Sequence, residues 1–572
     1  MRAGNLVIIL HTHLPYVLHH GDWPHGTDWL CEAVAECYLP LLEEFHSLKR
    51  DCISPRVTLD ISPVLCEQLE HEEFPELFTT YCDTRVELAR ADERRFLSIG
   101  EDPHLVHLAR WWQQWYARRK EEFLHTYDAS IVRSLRRLQD SGDIEIMTCG
   151  ATHAYLALVG SDAAVRLQVR AAVANYEKHF GRKPRGIWLP ECAYRSSYAW
   201  RTYLPAEHLQ EPRERAGIEQ ILAEEGLQYF VTDENAIRAS TPLGVFSRVD
   251  GSFVSVTERT AEHPFDATPM SVYHVASPAQ VEKGTAMVFT RDQNIAMQVW
   301  SGEKGYPGDP AYLDFHKKHH ASALRYWRVT DSKADMRYKL LYVPEWTHGR
   351  IRDHAFHFTQ SIERTALQVA KDTSRPATVC TPFDTELFGH WWFEGPAFIS
   401  AVLRGLAASP YVRAVCASEE LELVMPREVV ALPESSWGRG GHHDVWMNDD
   451  VAYMWTSLYA MERVLDEVIP TGTRSRKPST LRRVVTHSVR EFMLAQASDW
   501  EFLVSTGSAV DYAKMRFHQH REDFFALVAI SRRLMDGGRM TKAQSAFVEA
   551  CERRNALFPE LQIEWWAEHR RM

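Results

Sequence analysis

The chain has 572 residues, enough for two to four folded units with a sizeable core. With 65 Lys and Arg against 77 Asp and Glu its net charge is −12, which leaves no global basic field for nucleic acid or an anionic bilayer and suits a neutral partner. Hydrophobic residues at 45 % and charged residues at 25 % exclude long disorder, a collagen-like repeat or a coiled-coil rod, and no run of about eighteen apolar residues marks a membrane span.

The N-terminal residues lead straight into an apolar segment ending at His11, without an export-signal pattern. Ten cysteines scattered without CxxC spacing fit reduced thiols, so a cytoplasmic protein is expected. Eighteen tryptophans are the compositional oddity, and indole rings make good stacking surfaces for sugars.

Seven short apolar runs read as buried strands, each stopping at a residue able to do chemistry. In chain order they are 5–10, ending at His11 and His13; 56–59, ending at Asp60; 144–147, followed by Thr148 and His153; 186–190, ending at Glu191; 228–232, ending at Asp233; 286–290, ending at Arg291 and Asp292; and 378–383, ending at Asp384. Helical patterns such as 165–180 and 213–225 lie between most of them, so the order is β-α repeated and implies a parallel sheet. If such strands close into a barrel, the loops at their carboxyl ends build the active site.

Two regions depart from the alternation. Residues 85–140 read as a charged helical insertion, with an aromatic patch at Trp111, Trp112, Trp115 and Tyr116 able to act as a lid. After 408 comes one more apolar run, 412–416, and then helical faces: Leu458, Met461, Leu465 and Val468, followed by Leu481, Val484, Val485, Val489 and Phe492. The expected division is therefore a barrel of 1–84 and 141–408, an insertion of 85–140, and a helical C-terminal domain of 409–572 whose segment 472–478 is a solvated loop.

Two stretches carry the sharpest chemistry. Trp188-Leu189-Pro190-Glu191-Cys192-Ala193-Tyr194 is a strand ending in a carboxylate among aromatics, and Thr381-Pro382-Phe383-Asp384-Thr385-Glu386-Leu387-Phe388-Gly389-His390-Trp391-Trp392 is another. Two carboxylates on different strand ends suit glycoside chemistry, one attacking the anomeric carbon and the other protonating the leaving oxygen. That chemistry needs no metal or cofactor.

With these stretches the sequence resembles family 57 of the glycoside hydrolases, and within it the 1,4-α-glucan branching enzymes, over nearly its whole length. His11-Thr12-His13-Leu14-Pro15-Tyr16 is similar to the family's first motif and Glu145-Ile146-Met147-Thr148-Cys149-Gly150-Ala151-Thr152-His153 to its second. The stretches around Glu191 and Asp384 resemble the third and fourth, and Ala497-Ser498-Asp499-Trp500 with Ser505-Thr506-Gly507 the fifth. Gln298-Val299-Trp300 with Gly305-Tyr306-Pro307-Gly308, and Ser436-Trp437-Gly438 with Val445-Trp446, add branching-enzyme character. The resemblance implies a distorted (β/α)7 barrel with a helical insertion and a helical C-terminal domain that contributes to the cleft. It implies retaining transfer, with Glu191 as nucleophile and Asp384 as acid/base. His11, His13, His153, Arg291 and Asp499 would bind or orient sugar and carboxylates, and Trp23, Trp300, Trp437 and Trp446 would form aromatic subsites. The implied partner is an α-glucan, with no nucleic acid or membrane, and a monomer is expected.

One departure concerns a loop tyrosine of such branching enzymes, expected after the strand ending near Asp233. No Tyr lies between Tyr229 and Tyr273, and Phe246 or Phe253 is expected in its place. A phenyl ring covers a site but donates no hydroxyl hydrogen bond, which puts the balance of branching over hydrolysis in play. Other readings stay open: an α-1,4-glucan hydrolase or 4-α-glucanotransferase on the same fold, a metal-dependent barrel using His11, His13, Asp60 and His153, and a non-catalytic glucan-binding protein.

Overall fold

The computed structural model describes residues 2–22, 24–202, 204–255, 265–278, 280–474 and 479–567. Seven parallel strands form its centre: β1 (Gly4–Thr12), β2 (Thr58–Ile61), β3 (Glu145–Cys149), β4 (Gly186–Trp188), β5 (Tyr229–Thr232), β6 (Ala286–Thr290) and β7 (Ala377–Asp384). They pair in the order β7-β1-β2-β3-β4-β5-β6, and a parallel bridge between Arg291 and Cys380 closes the ring. The seven apolar runs are thus present as strands, and so is the distorted (β/α)7 barrel that the family resemblance implied, one closing seam being a single bridge.

Both faces of these strands are buried, which is why they read as continuous apolar runs. Along β1, Leu6, Ile8 and Leu10 pack outward into the main core, whereas Val7 and Ile9 join Met147, Cys149, Trp188, Tyr229, Val231, Phe289 and Cys380 inside the barrel. The two-residue period of the strand then fixes which residues meet at its mouth. Continuing the inward parity to the carboxyl ends of the strands reaches His11, Asp60, Asp233, Arg291 and Asp384. Register brings them together, with His11 opposite Asp384 on one side and Asp60 on the other.

Between β2 and β3 the helices Phe74–Ile99 and Pro103–Glu121 form an antiparallel pair. Gly100 ends the first in a left-handed turn (φ 69°), and Asp102 caps the second by accepting from the His104 N–H at 2.9 Å, with Pro103 at its first turn. The helical run begins well before residue 85, so the insertion is larger than expected. Its aromatic patch is a packed wall: Trp112 and Tyr116 are buried, Phe393 packs on Trp112 and Trp115, and Trp112 Nε1 donates to the Arg325 carbonyl at 2.7 Å.

The sheet also runs past residue 408. Strand Val412–Ala414 pairs with β1, and Glu428–Ala431 pairs with the hairpin strand Thr241–Phe246, so the helical part starts only at Ala452–Arg474. Thr480–Ala495, Asp499–Ser505 and Val510–Met535 follow. The expected loop 472–478 overlaps the first helix up to Arg474, and its remainder lies outside the described residues. Likewise 213–225 is not one helix, because Arg213–Arg215 pairs with Tyr198–Trp200 before the helix Ile218–Glu224 begins.

Candidate active site

A cavity of about 1120 Å³ opens over the carboxyl ends of the barrel strands. Its floor holds His11, Glu191, Arg291 and Asp384, one wall is the insertion (Arg85, Trp112, Tyr116), and another is the C-terminal domain from Asp499 to Ala509. The helical domain therefore completes a site that the barrel alone leaves open.

Glu191 reaches the cavity by a kink. The inward parity of β4 continues from Trp188 to residue 190, one short of the carboxylate, and the backbone at Glu191 takes left-handed angles (φ 61°, ψ 22°) with Cys192 also positive (φ 50°). His153, at the end of β3, does the same (φ 59°). Such angles cost a residue with a Cβ about 1–2 kcal/mol each and persist only where the surroundings hold them. Here the Trp437 N–H bonds the Glu191 carbonyl at 3.1 Å, and the Ser498 N–H bonds the His153 carbonyl at 3.0 Å. The same two residues hold the Glu191 side chain: Trp437 Nε1 donates to Oε2 at 2.9 Å and Ser498 Oγ to Oε1 at 2.8 Å. Burial pushes the Glu191 carboxyl up to about 7, against the pull of these two donors.

Asp384 stands differently. No hydrogen bond reaches its carboxylate from the described residues, and burial with the nearby Glu386 and Glu191 carboxylates holds it well above the usual range. Arg291 works against that rise and is itself anchored by an ion pair to Asp233, which also accepts from Gln293 Nε2 at 3.0 Å. The Arg291 guanidinium lies 5.5 Å from the Trp437 ring, so the arginine touches the surroundings of both carboxylates. The loop after Asp384 is pinned at Gly389 (φ 122°), where a Cβ would fall 1.9 Å from the Glu36 carbonyl oxygen. Glu386, on that loop, accepts from Tyr38 Oη at 2.6 Å.

Three stacked histidines fill the space between. His13 and His153 lie 3.8 Å apart ring to ring, and His11 stacks on Trp188 at 4.6 Å. Each ring nitrogen has a hydrogen-bond partner. His11 binds Asp60 through Nδ1 and His153 through Nε2 (3.0 Å); His13 binds Ser62 through Nδ1 (2.8 Å) and Asp499 through Nε2 (3.1 Å); His153 Nδ1 meets Ser498 Oγ at 2.9 Å. His13, His153 and Asp499 come close enough to share a cation, but their donor atoms are already committed to one another and to Ser62 and Ser498. The arrangement is thus a hydrogen-bonded network around two carboxylates, which suits acid, base and nucleophile chemistry at an acetal carbon.

Comparison with known proteins agrees with that chemistry. The profile of glycosyl hydrolase family 57 matches residues 7–433. The chain belongs to that family. A second profile, the C-terminal region of 1,4-alpha-glucan branching enzymes, matches residues 458–566. The chain is 36% identical over 525 residues to the 1,4-alpha-glucan branching enzyme TK1436 of Thermococcus kodakarensis, covering 92% of this chain and 73% of that one. Among solved structures it is similar to the family 57 branching enzyme of Pyrococcus horikoshii, with TM-score 0.86, 33% identity, and 99% and 97% of the two chains covered. It also resembles the alpha-amylase AmyC of Thermotoga maritima, with TM-score 0.80, 28% identity and 99% of each chain covered.

Within this family 57 site the cavity gathers Glu191, Asp384, His11, His13, His153, Arg291, Trp300, Trp437 and Asp499. Trp23 lies outside the described residues. Trp446 is a correction: it is 2% exposed, absent from the cavity lining, and packed on Tyr155 at 4.8 Å and Phe502 at 6.4 Å. A tryptophan in a glycine-rich loop looks the same in sequence whether its ring faces a sugar or a neighbouring helix. Phe246 and Phe253 are a second correction, since they face each other across the hairpin, 6.0 Å apart, away from the cavity lining. Residues 256–264 of that loop lie outside those described. Sequence reasoning missed Ser498, Asp233 as the anchor of Arg291, and Glu386. Asp233 had a signal in its strand-end position; Ser498 had only its place beside Asp499.

Proposed function

We propose that this family 57 chain is a retaining 1,4-α-glucan branching enzyme. Glu191, held by two donors and positioned off the strand axis, attacks the anomeric carbon of an α-1,4 bond while Asp384, half-buried and protonated, gives its proton to the departing oxygen. The glucan segment is then an ester on Glu191. Asp384, now a carboxylate, takes the proton of an acceptor 6-hydroxyl, and that oxygen displaces Glu191 to make an α-1,6 branch. His13, His153, Arg291 and Asp499 line the cavity at the reacting sugar, and Trp300 and Trp437, edge to face at 5.8 Å, offer an indole surface to a glucan chain. All ten cysteines are free, nine of them buried, which suits a reducing cytoplasm.

The observation that carries this reading is the asymmetric carboxylate pair under a C-terminal domain of branching-enzyme type. Water competes with the acceptor for the ester, and the likeness to an alpha-amylase together with the loop that lacks tyrosine favours a hydrolytic share. The test is incubation with linear amylose, counting new α-1,6 linkages by debranching or proton NMR beside new reducing ends. An excess of α-1,6 linkages is expected; reducing ends without branches would make the protein a hydrolase, and new α-1,4 chain lengths alone a 4-α-glucanotransferase.

A further inference from the structure

Four hydrogen bonds run without a break from Glu191 to the far side of the barrel mouth. Ser498 Oγ meets Glu191 Oε1 at 2.8 Å, His153 Nδ1 meets Ser498 Oγ at 2.9 Å, His11 Nε2 meets His153 Nε2 at 3.0 Å, and His11 Nδ1 meets Asp60 Oδ2. The intermediate members are buried, and Asp60 and Ser498 are fully so.

The proton positions along this line follow from counting hydrogens. A nucleophilic carboxylate only accepts, so Ser498 spends its single hydrogen on Glu191. Ser498 must therefore accept from His153 Nδ1–H. Neutral His153 then has a bare Nε2, which accepts from His11 Nε2–H, leaving His11 Nδ1 to accept from Asp60. Asp60 has a second mark of a neutral acid: its other oxygen, Oδ1, is buried with no partner among the described residues, a costly position for a full anion and a tolerable one for the carbonyl of a carboxylic acid. Burial and the Glu386 carboxylate also hold the Asp60 acid well above the ordinary range, and burial and neighbouring histidines keep His11 and His153 neutral.

We infer that Asp60, His11, His153 and Ser498 form a proton relay that fixes Glu191 as a carboxylate with a donor on Oε1, Asp60 being the buried acid at its far end. This rests on the reading of Glu191 as nucleophile. The relay has one other order. If Glu191 gains a proton, Ser498 turns to donate to His153 Nδ1, His153 Nε2–H donates to His11, and His11 Nδ1–H donates to an Asp60 carboxylate. Four hydrogens each cross one bond, and the net change is one proton moved between Asp60 and Glu191. The two carboxylates thus hold one proton between them, and the outward order keeps it away from the nucleophile both before attack and when Glu191 leaves the ester. Asp60 and His11 act as positioning residues. The groups that face the relay from other elements are His13 and Asp499 on the His153 side, the Cys149 thiol beside His11 and His153, Glu386 on the Asp60 side, and Asp384 across from His11.

The first test needs no turnover. Long-range proton–nitrogen NMR of the full-length protein with labelled histidine is expected to show His11 protonated at Nε2 and His153 at Nδ1; the opposite tautomers at a pH where Glu191 is ionised would overturn the relay. The second is a kinetic cycle on amylose. S498A and D60A are each expected to lower kcat by about 10–100-fold with KM within twofold, the loss of one hydrogen bond to a charged group or of its support. Because the two residues do not touch, independent structural roles would multiply. The relay instead expects S498A/D60A to be no more than about twofold worse than S498A alone. D60N, whose amide nitrogen can still donate to His11 Nδ1, is expected to recover at least about tenfold over D60A, and S498T to recover part of the S498A loss. S498A should also move the acidic limb of kcat/KM upward, because a donor to the charged form is gone. Multiplying effects, or D60N as poor as D60A, would overturn the relay while leaving branching intact. A wild-type chain with the expected tautomers but no glucan transfer would instead overturn the branching reading.

Discussion

The two carboxylates proposed to be catalytic line one cavity and are held in opposite ways. Glu191 stands on a left-handed kink, with one donor on each oxygen supplied by the loop after strand Glu428–Ala431 and by the C-terminal domain. Asp384 ends a regular strand and has no hydrogen bond to its carboxylate among the described residues. The difference matches the work proposed for each. A nucleophile returns to one charge state and one position in each half-reaction, so fixed donors aimed at its charge help throughout. An acid/base must give its proton to one oxygen and take the next from another, and a permanent partner would compete with both.

The sharpest way to break this comparison is to remove each carboxylate in turn. E191Q and D384N should each lower branching on amylose by a factor on the order of 10⁴ or more. They should separate on an activated donor such as an α-maltosyl fluoride, whose leaving group needs no proton. D384N is expected to regain ester formation, seen as trapped glycosyl-enzyme by mass spectrometry, whereas E191Q forms none. Recovery in E191Q but not in D384N would mean the roles have been assigned the wrong way round.

A smaller loss sharpens the nucleophile's side. W437F keeps an aromatic ring but removes the indole N–H from Glu191 Oε2, and kcat should fall by about 10–100-fold. For the wild type, kcat/KM should fall tenfold per pH unit below about 7, because Glu191 must be ionised and its folded-state pKa is raised to that value by burial. W437F should shift this acidic limb upward. The alkaline limb belongs to Asp384, which must keep its proton. Arg291 favours the Asp384 anion, so R291M should move that limb upward as well, leaving the acidic limb in place. Unmoved limbs in both variants would show that other groups set the profile.

Much of this site was legible before any coordinates. Strand parity places His11, Asp60, Asp233, Arg291 and Asp384 at one barrel mouth, since an apolar run buried on both faces carries its period-two direction into the first polar residue beyond it. Glu191 obeys a different rule, because its exposure to the cavity depends on a backbone kink that parity does not contain; the motif around it, and not the period, pointed there. Ser498 was harder still. It lies 307 residues from Glu191 in sequence, on a helical domain whose apolar faces announce packing but not which loop reaches the barrel. The same limit explains Trp446 and the phenylalanines of the 241–255 hairpin, whose side-chain direction is set by tertiary neighbours rather than by local pattern.

The aromatic residues give the smallest effects and test that last point. Trp300 lines the cavity with its indole N–H unpartnered, so W300A should raise KM for amylose by about tenfold, the loss of one stacking surface. Trp446 is buried beneath the same region, and its own Nε1 has no hydrogen-bond partner among the described residues. Replacing it with Phe removes ring volume, at a cost of about 1–2 kcal/mol, but also removes a buried, unsatisfied donor, which offsets roughly 1 kcal/mol. The net change in W446F should therefore be a fall in Tm of no more than about 2 °C with KM within twofold of wild type. A severalfold rise in KM at unchanged Tm would return Trp446 to the glucan-binding surface, and would mean that the wall formed by Tyr155 and Phe502 opens when a chain binds.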